Sequence, residues 1–214
     1  MKIQWFGHAC FLLTSNDNIR ILMDPFDESV GYDLPNTSAD IVTVSHQHSD
    51  HSNTALVDGP FDLVDTPGKH FIKGMNIKGI PTYHDNSQGA KRGTNIIFNV
   101  SVDNLNVCHC GDLGHMLTSE QISALGAVDI LLIPVGGTYT IDAIIARDII
   151  DALKPRLTIP MHYKTEILTF TIDGVQPFLD LTNGHAICHK EIEISTKNGA
   201  NYEDYHGVVA LTYK

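Results

Sequence analysis

A dense run of metal-ligand side chains follows the apolar residues 41–44. It reads Ser45-His46-Gln47-His48-Ser49-Asp50-His51 and places three imidazoles and one carboxylate within six positions. In an extended segment His46 and His48 point the same way, whereas Asp50 and His51 follow as the chain turns and can address a second point. This spacing suits two adjacent metal ions better than one. The alternative, a solvated loop rich in histidine, is disfavoured because ligand-type residues recur elsewhere in the chain.

Three later apolar segments also end in ligand-type residues. They lead into Tyr83-His84-Asp85, Gly111-Asp112 and Met161-His162-Tyr163. A single histidine at one strand end would more often be structural. Strand ends on one edge of a sandwich converge in space, so four such segments together predict one site.

The elements that must position these residues are short strands in the first half and mixed strands and helices in the second. Strands are predicted at residues 2–6, 10–14, 19–23, 40–45, 95–102, 105–110, 129–135, 157–160, 191–195 and 208–212. Helical turns are predicted over 52–57, and helices over 118–125, 140–153 and 176–181, with loops at 26–39 and 85–93. The longest helix, 140–153, carries an apolar stripe that predicts a core contact, made of Ile141, Ile144, Ile145, Ile149 and Ala152. The pattern fits an α/β fold of two sheets packed face to face with helices outside.

Composition narrows the class of protein. The 214 residues suffice for one domain over 1–214 with a sizeable core. A formal net charge of -11 argues against a nucleic-acid partner, but leaves room for a small anionic substrate. We find neither a signal peptide nor an apolar stretch that could span a bilayer, so the expected location is the cytoplasm. The sequence is compatible with a monomer or a homo-oligomer.

The four cysteines show no disulfide spacing. Cys108-His109-Cys110 looks like a soft-metal site, but it ends a predicted strand. The better interpretation is that these cysteines are buried as small hydrophobic residues.

The ligand series resembles the signature of the metallo-β-lactamase superfamily, His-x-His-x-Asp-His followed by a His, an Asp and a last His at later strand ends. Several phrases look like the branch of small metal-dependent hydrolases that includes the ascorbate-6-phosphate lactonase. These phrases are Trp5-Phe6-Gly7-His8-Ala9-Cys10, Asp24-Pro25-Phe26, Gly111-Asp112-Leu113-Gly114-His115, Pro134-Val135-Gly136-Gly137 and Ile159-Pro160-Met161-His162-Tyr163. The similarity runs from Trp5 to about Thr165, and residues 166–214 carry no such motif.

The resemblance implies an αββα sandwich with a dinuclear metal site. By the family pattern one metal is held by His46, His48 and His84, the other by Asp50, His51 and His162, and Asp112 bridges the two. Imidazole and carboxylate without thiolate suit zinc first, with manganese or iron as alternatives. Two divalent ions about 3.5–4 Å apart can share a water and lower its pKa towards about 7.

The expected activity is hydrolysis of a small-molecule lactone, ester, amide or phosphodiester by a hydroxide that bridges the metals. Asp50 and Asp112 are the candidate catalytic residues, and Asp50 can orient the hydroxide. One alternative is an iron-dependent redox enzyme on the same fold, which the retained Asp50-His51 pair disfavours. Another is a non-catalytic metal-binding protein, against which all seven ligand positions are filled. A nucleic-acid-processing enzyme would need a clamp domain or basic surface that this chain lacks.

Four more residues flank the ligand motifs. His8 and Asp24 are either partners that fix a ligand imidazole or structural hydrogen-bonding residues. His109 and His115 flank Asp112; since Asp112 fills the family position, we expect them to support the ligands or line the pocket rather than bind metal.

Two residues are candidates for substrate contact. Arg92, in the segment 91–95, could hold a phosphate or carboxylate of the substrate, or belong to a solvated turn. Tyr139 could line the pocket, or belong to a tight turn capped by Thr140. The remaining histidines are predicted to lie on the surface: His70, His185, His189 and His206.

Overall fold

A computed structural model describes residues 1–33, 36–194 and 205–213 of the chain. These residues form sixteen strands, three α-helices and two 3-10 turns. The strands are β1 Lys2–Gly7, β2 Cys10–Thr14, β3 Arg20–Met23, β4 Thr37–Ser38, β5 Ile41–Thr43, β6 Val57–Asp58, β7 Asp62–Val64, β8 Gly68–Ile72, β9 Met75–Tyr83, β10 Thr94–Val102, β11 Leu105–His109, β12 Ile130–Pro134, β13 Leu157–Met161, β14 His185–Ala186, β15 Glu191–Glu193 and β16 Gly207–Ala210. The helices are α1 Ser119–Leu125, α2 Ala143–Leu153 and α3 Gln176–Thr182, and the 3-10 turns are Glu28–Val30 and Thr54–Leu56.

Two mixed sheets carry the described fold. One has six strands in the order β15-β1-β2-β3-β5-β7, and the other has eight in the order β14-β16-β13-β12-β11-β10-β9-β8. In the first sheet β1 and β3 run the same way because each pairs antiparallel with β2, and β5 is parallel to β3. In the second sheet β9, β11 and β13 likewise share a direction. The carboxyl ends of each set therefore lie at one edge of their sheet.

The alternation of side chains along β2 shows how the first sheet is buried on both faces. Phe11 and Leu13 join the large core cluster that also contains the apolar residues of the second sheet. Cys10 and Leu12 point the other way into a smaller cluster. Successive side chains of a strand alternate between faces, so a continuous apolar strand predicts burial on both sides.

Different elements contribute to the two clusters. α2 and α3 contact each other and add Ala146, Ile149, Phe178 and Leu179 to the large cluster. Among the described residues, the smaller cluster contains no α-helical residue; it is completed by loop and 3-10 residues such as Phe26 and Val30.

Most predicted elements are present, but the start and buried face of α2 differ from the prediction. The helix begins at Ala143 rather than Thr140, because the Asp142 side chain accepts hydrogen bonds from the Ile144 and Ile145 amides as its N-cap. The predicted apolar stripe of this helix was also wrong in part, because Ile144 is 55% exposed and Ala152 is exposed. Ala146 and Ile149 are the buried residues of this helix.

The predictions for the capping box and the buried cysteines agree with the structure, whereas one predicted strand end does not. The capping box of α1 is confirmed, with Thr118 and Gln121 bonding each other's backbone amides. Cys108 and Cys110 are buried free thiols, as predicted; Cys10 is also buried, whereas Cys188 is exposed. The predicted strand 191–195 ends at Glu193, and Ser195 lies outside the described residues. Among the described residues, no helix is long and apolar enough to cross a membrane.

Candidate metal centre

Six strand ends deliver the predicted ligands and two of their supporting residues. In the first sheet His8 follows β1, Asp24 follows β3, and the His46 run follows β5. In the second sheet His84 follows β9, Asp112 follows β11 and His162 follows β13. The centre therefore lies where aligned strand ends of both sheets meet.

One group of ligand atoms contains three imidazoles. Nitrogens of His46, His48 and His84 all lie within 4.8 Å of one another. Nε2 of His46 is 3.1 Å from Nδ1 of His48. The structure thus brings together the three residues that the family pattern assigns to one metal.

A second group combines a carboxylate with three imidazoles. Atoms of His8, Asp50, His51 and His162 lie within 4.8 Å of one another. Oδ2 of Asp50 is 3.2 Å from Nε2 of His8 and 3.7 Å from Nε2 of His51. This group holds the three residues assigned to the other metal, and His8 in addition.

Asp112 contacts both groups. Its Oδ2 lies 3.0 Å from Nε2 of His84 and 3.4 Å from Nε2 of His162. Its Oδ1 lies 3.2 Å from Nε2 of His51. Asp112 therefore lies between the two groups.

The side chains fit metal ions on two grounds. Nε2 of His51 and Oδ1 of Asp112 are buried and lie 3.2 Å apart, but they are not aligned as a hydrogen bond, although a buried polar atom is normally paired. A cation would satisfy both atoms. Imidazole and carboxylate are also the donors that zinc, manganese and iron accept.

Asp24 fixes the orientation of His51. Its Oδ2 accepts a hydrogen bond from Nδ1 of His51 at 2.8 Å, and its two oxygens accept from the Ser45 amide at 2.8 Å and the Ser45 hydroxyl at 2.5 Å. The bond to Nδ1 directs Nε2 of His51 towards Asp112. A carboxylate that bonds the far nitrogen of a ligand histidine is the usual support for a metal site.

His109 holds the backbone at Gly111, next to Asp112. Its Nε2 donates to the Ala9 carbonyl at 2.8 Å, and its Nδ1 accepts from the Gly111 amide at 3.2 Å. With both nitrogens engaged, His109 has no lone pair for a metal. Asn95 completes the support, since its side-chain oxygen accepts from the Asp112 amide at 2.9 Å.

Gly111 is the residue that lets Asp112 approach the site. Its φ of +54° is left-handed, and a Cβ built there would lie 2.5 Å from Cβ of Ser45 and still closer to the Asn95 side-chain oxygen. Non-glycine residues also take left-handed conformations here: His8 at φ 51°, Asp24 at 47° and His162 at 49°. Such conformations concentrate at functional sites, where the surrounding structure enforces them.

Burial and neighbouring charges set the protonation of the side chains at the site. Burial lowers the pKa of His46 to about 3, so its ring is neutral near pH 7. Burial alone would raise the pKa of Asp112, but His162 and His51 hold it well below its usual range. Burial also opposes a charge on His51, yet the carboxylates of Asp112 and Asp24 raise its pKa well above the usual value. His51 therefore carries a proton near pH 7, which an ion bound at its Nε2 would have to displace.

A cavity of about 350 Å³ opens beside the two groups. The ligand candidates in its wall are His48, Asp50, His84, Asp112 and His162; the other wall residues are Arg92, Tyr139 and Phe170. Both predicted substrate candidates, Arg92 and Tyr139, are thus in the cavity. His115 is not: it accepts a hydrogen bond from the Tyr83 amide at 3.2 Å and donates to the Met116 carbonyl.

Sequence reasoning missed the residue that shapes the loop carrying Arg92. The buried Asp85 carboxylate accepts hydrogen bonds from the amides of Ser87, Gly89, Lys91 and Arg92 at 2.7–3.0 Å. Burial opposes its charge, but these amide bonds lower the pKa of Asp85 to about 2. The signal available in the sequence was an aspartate before a glycine-bearing loop, where carboxylates commonly bond backbone amides.

Phe170 was also missed, and it lies in the segment without a usable motif. Of the histidines predicted at the surface, His185, His189 and His206 are exposed, and His70 is half-buried with a hydrogen bond to the Thr66 carbonyl.

Two mixed sheets that share one core, with a centre of imidazoles and carboxylates at their strand ends, define the class of protein. The chain belongs to the beta-lactamase superfamily domain family, whose model matches residues 2–162. Within that class it groups with the UPF0173 metal-dependent hydrolases. It is 33% identical to the one from Thermoplasma acidophilum over 77% of this chain and 84% of that protein.

Solved structures agree with this assignment. A candidate zinc-dependent hydrolase of the metallo-β-lactamase superfamily from Thermotoga maritima is 40% identical over 98% of this chain and 97% of that chain, with a TM-score of 0.81. The diiron β-hydroxylase CmlA of Streptomyces venezuelae matches in fold alone, at 15% identity, a TM-score of 0.55 and coverage of 75% of this chain and 44% of that one. The predicted superfamily and fold are confirmed; the similarity to the ascorbate-6-phosphate lactonase branch stays a prediction.

Proposed function

We propose that this protein binds two divalent metal ions, zinc first among them, and hydrolyses a lactone, ester, amide or phosphodiester bond of a small molecule. The observation that carries the proposal is the pair of ligand groups that meet at Asp112 on one cavity. His46, His48 and His84 would hold one ion, and Asp50, His51 and His162 the other.

When bound, two such ions would supply a water of lowered pKa and positive charge near the oxygen that gains charge. Asp50 lies in the cavity wall, and its Oδ2 is tied to His8. Burial raises the pKa of Asp50, but the hydrogen bond from His8 and the nearby His51 lower it below its usual range. Asp50 therefore stays ionised near pH 7 and orients the water as a hydrogen-bond acceptor, rather than acting as a general acid.

The fold alone does not select hydrolysis, because a diiron hydroxylase shares it. What favours hydrolysis is membership of the metal-dependent hydrolase family together with two complete ligand groups. Both groups lie beside a cavity that can take a small molecule.

The first test is elemental analysis of the protein as purified, followed by chelation, reloading with zinc or manganese, and assay on lactones, esters, amides and phosphodiesters. We expect about two ions per chain and activity that disappears with the chelator. His48→Ala is the informative variant because His48 is exposed and its loss does not disturb the core. It should lower the metal content and reduce turnover by about 10²-fold or more.

His189→Ala is the matched control, since His189 is also exposed and lies outside the site. It should retain metal and activity. Full metal content and full activity in His48→Ala would contradict the site assignment. Iron as the native metal, with oxygen consumed during turnover, would contradict hydrolysis.

A further inference from the structure

We infer that the substrate carries an oxyanion, a carboxylate or a phosphate, on a flat apolar body, and that Arg92 binds this anion. The inference rests on the proposed function, because it concerns the substrate of the same cavity. It commits the site to a charged class of small molecule that the metal ligands alone do not select.

The position of Arg92 is the main observation. It lines the cavity with the metal-ligand candidates His48 and His84. Across residues 1–33, 36–194 and 205–213, its guanidinium makes no ion pair with a carboxylate, although the chain carries 25 acidic residues. A half-buried cation without a carboxylate partner is available to an anionic ligand.

Tyr139 orients the guanidinium. The Arg92 Cζ lies over the Tyr139 ring, 5.2 Å from its centroid. A cation–π contact of this kind uses the charge of the guanidinium and leaves N–H donors for other partners. Those donors form the fork that matches the two oxygens of a carboxylate or phosphate.

The Asp85 carboxylate holds the backbone of this loop before any ligand arrives. One of its four amide bonds, at 2.8 Å, is to the Arg92 amide itself. A loop that is ordered in the free protein loses less conformational entropy on binding. The anion site is therefore built into the fold.

An aromatic wall next to Arg92 sets the shape of the remaining substrate. The rings of Tyr139 and Phe170 pack edge to face with centroids 6.2 Å apart, and Phe170 packs against His8 at 5.6 Å. Flat apolar groups fit such a wall. The cavity of about 350 Å³ is near the lower end of the usual ligand-site range of about 300–1,000 Å³, which favours a compact molecule.

Lys91 provides a matched control for the role of Arg92. It neighbours Arg92 and carries the same charge, but it is exposed and does not line the cavity. Its amide bonds Asp85 through the backbone, so a side-chain substitution leaves that bond in place. Arg92→Met and Lys91→Met thus remove equal charge from one loop, and only the first removes it from the cavity.

The test is calorimetric titration of the metal-loaded protein with benzoate, phenyl phosphate and neutral benzamide. We expect at least one of the two anions to bind and benzamide to bind at least about tenfold more weakly. The anion that binds more tightly identifies the head group of the substrate. Arg92→Met should weaken anion binding by about 10–100-fold, the effect of losing a charge-assisted hydrogen-bond pair. Lys91→Met should bind like the parent protein.

Equal anion affinity in Arg92→Met and the parent, or an equal loss in both variants, would overturn the inference. So would a parent protein that binds neither anion. Hydrolysis is scored separately on neutral and anionic esters. Anion binding through Arg92 without hydrolysis would contradict the proposed function and sustain the anion site. If the parent and Arg92→Met hydrolyse neutral and anionic esters with the same KM, the anion site is contradicted and the proposed hydrolysis is supported.

Discussion

In the proposed metal centre, the protonation of His51 would be coupled to metal binding. It lies between two carboxylates, Asp24 at 2.8 Å from its Nδ1 and Asp112 at 3.2 Å from its Nε2. These carboxylates raise its pKa, so the imidazole is charged near pH 7. A metal ion can bind Nε2 only after the proton has left.

Metal binding should therefore release about one proton from His51, and affinity should fall as the pH is lowered, by about tenfold per unit below the raised pKa. Titration of metal into chelated protein, in buffers of different ionisation enthalpy, measures the proton. Identical heats in all buffers would show that His51 is neutral without metal. His51→Ala should lower metal content and abolish the buffer dependence.

The site residues that could be predicted from the sequence are those whose residue types and spacing indicate metal binding. The run from His46 to His51 and the candidate ligand at each later strand end belong to this class. Asp85 and Asn95 do not, because their roles arise from backbone amides that a loop brings to them. Such partners depend on a folded backbone conformation and leave no regular spacing in the sequence.

At the scale of elements, the loop 85–93 behaves as a short ordered unit organised around one carboxylate. Asp85→Ala should expose the amides of Ser87, Gly89, Lys91 and Arg92, and their hydrogen exchange should become at least about tenfold faster. Anion binding should weaken in parallel. Hydrogen exchange followed by NMR checks the first expectation, and the titration above checks the second.

Asp58→Ala is a suitable control because Asp58 is an exposed aspartate in β6. It should leave exchange in the loop unchanged. Unaltered protection in Asp85→Ala would mean that other contacts hold the loop.

The bounds of β2 were easier to predict than the start of α2. β2 has the predicted bounds because a continuous apolar run specifies a doubly buried strand. α2 starts later than predicted because Thr140 and Asp142 are both good N-caps in sequence, and only the fold decides between them. The Gly136–Asp142 bridge keeps the preceding residues out of the helix.

For the whole molecule, the centre connects the two sheets. His46 and His51 come from the end of β5, whereas His84, Asp112 and His162 come from β9, β11 and β13. The composition predicts neither the pairing of β1 with β15 nor that of β13 with β16, because strand partners distant in sequence are set by packing.

Metal should accordingly stabilise the folded chain. At free metal about 100 times the Kd, one site contributes about 2.7 kcal/mol, which corresponds to about 5–10 °C in Tm for a domain of this size. Thermal unfolding with and without a chelator measures the shift. His48→Ala should show a smaller shift, and an unchanged Tm after verified metal removal would contradict a centre that joins the sheets.

The spread of the ligands along the chain also constrains when the centre can form during synthesis. The first proposed ligand, His46, follows β5, and the last, His162, follows β13. The His162 amide donates to the His8 carbonyl, so this contact joins distant parts of the chain. Contacts between distant segments form late in folding because closing long loops costs entropy. A nascent chain that presents only the run from His46 to His51 has an incomplete set of ligands, and the complete centre is assembled only after β13 has been made.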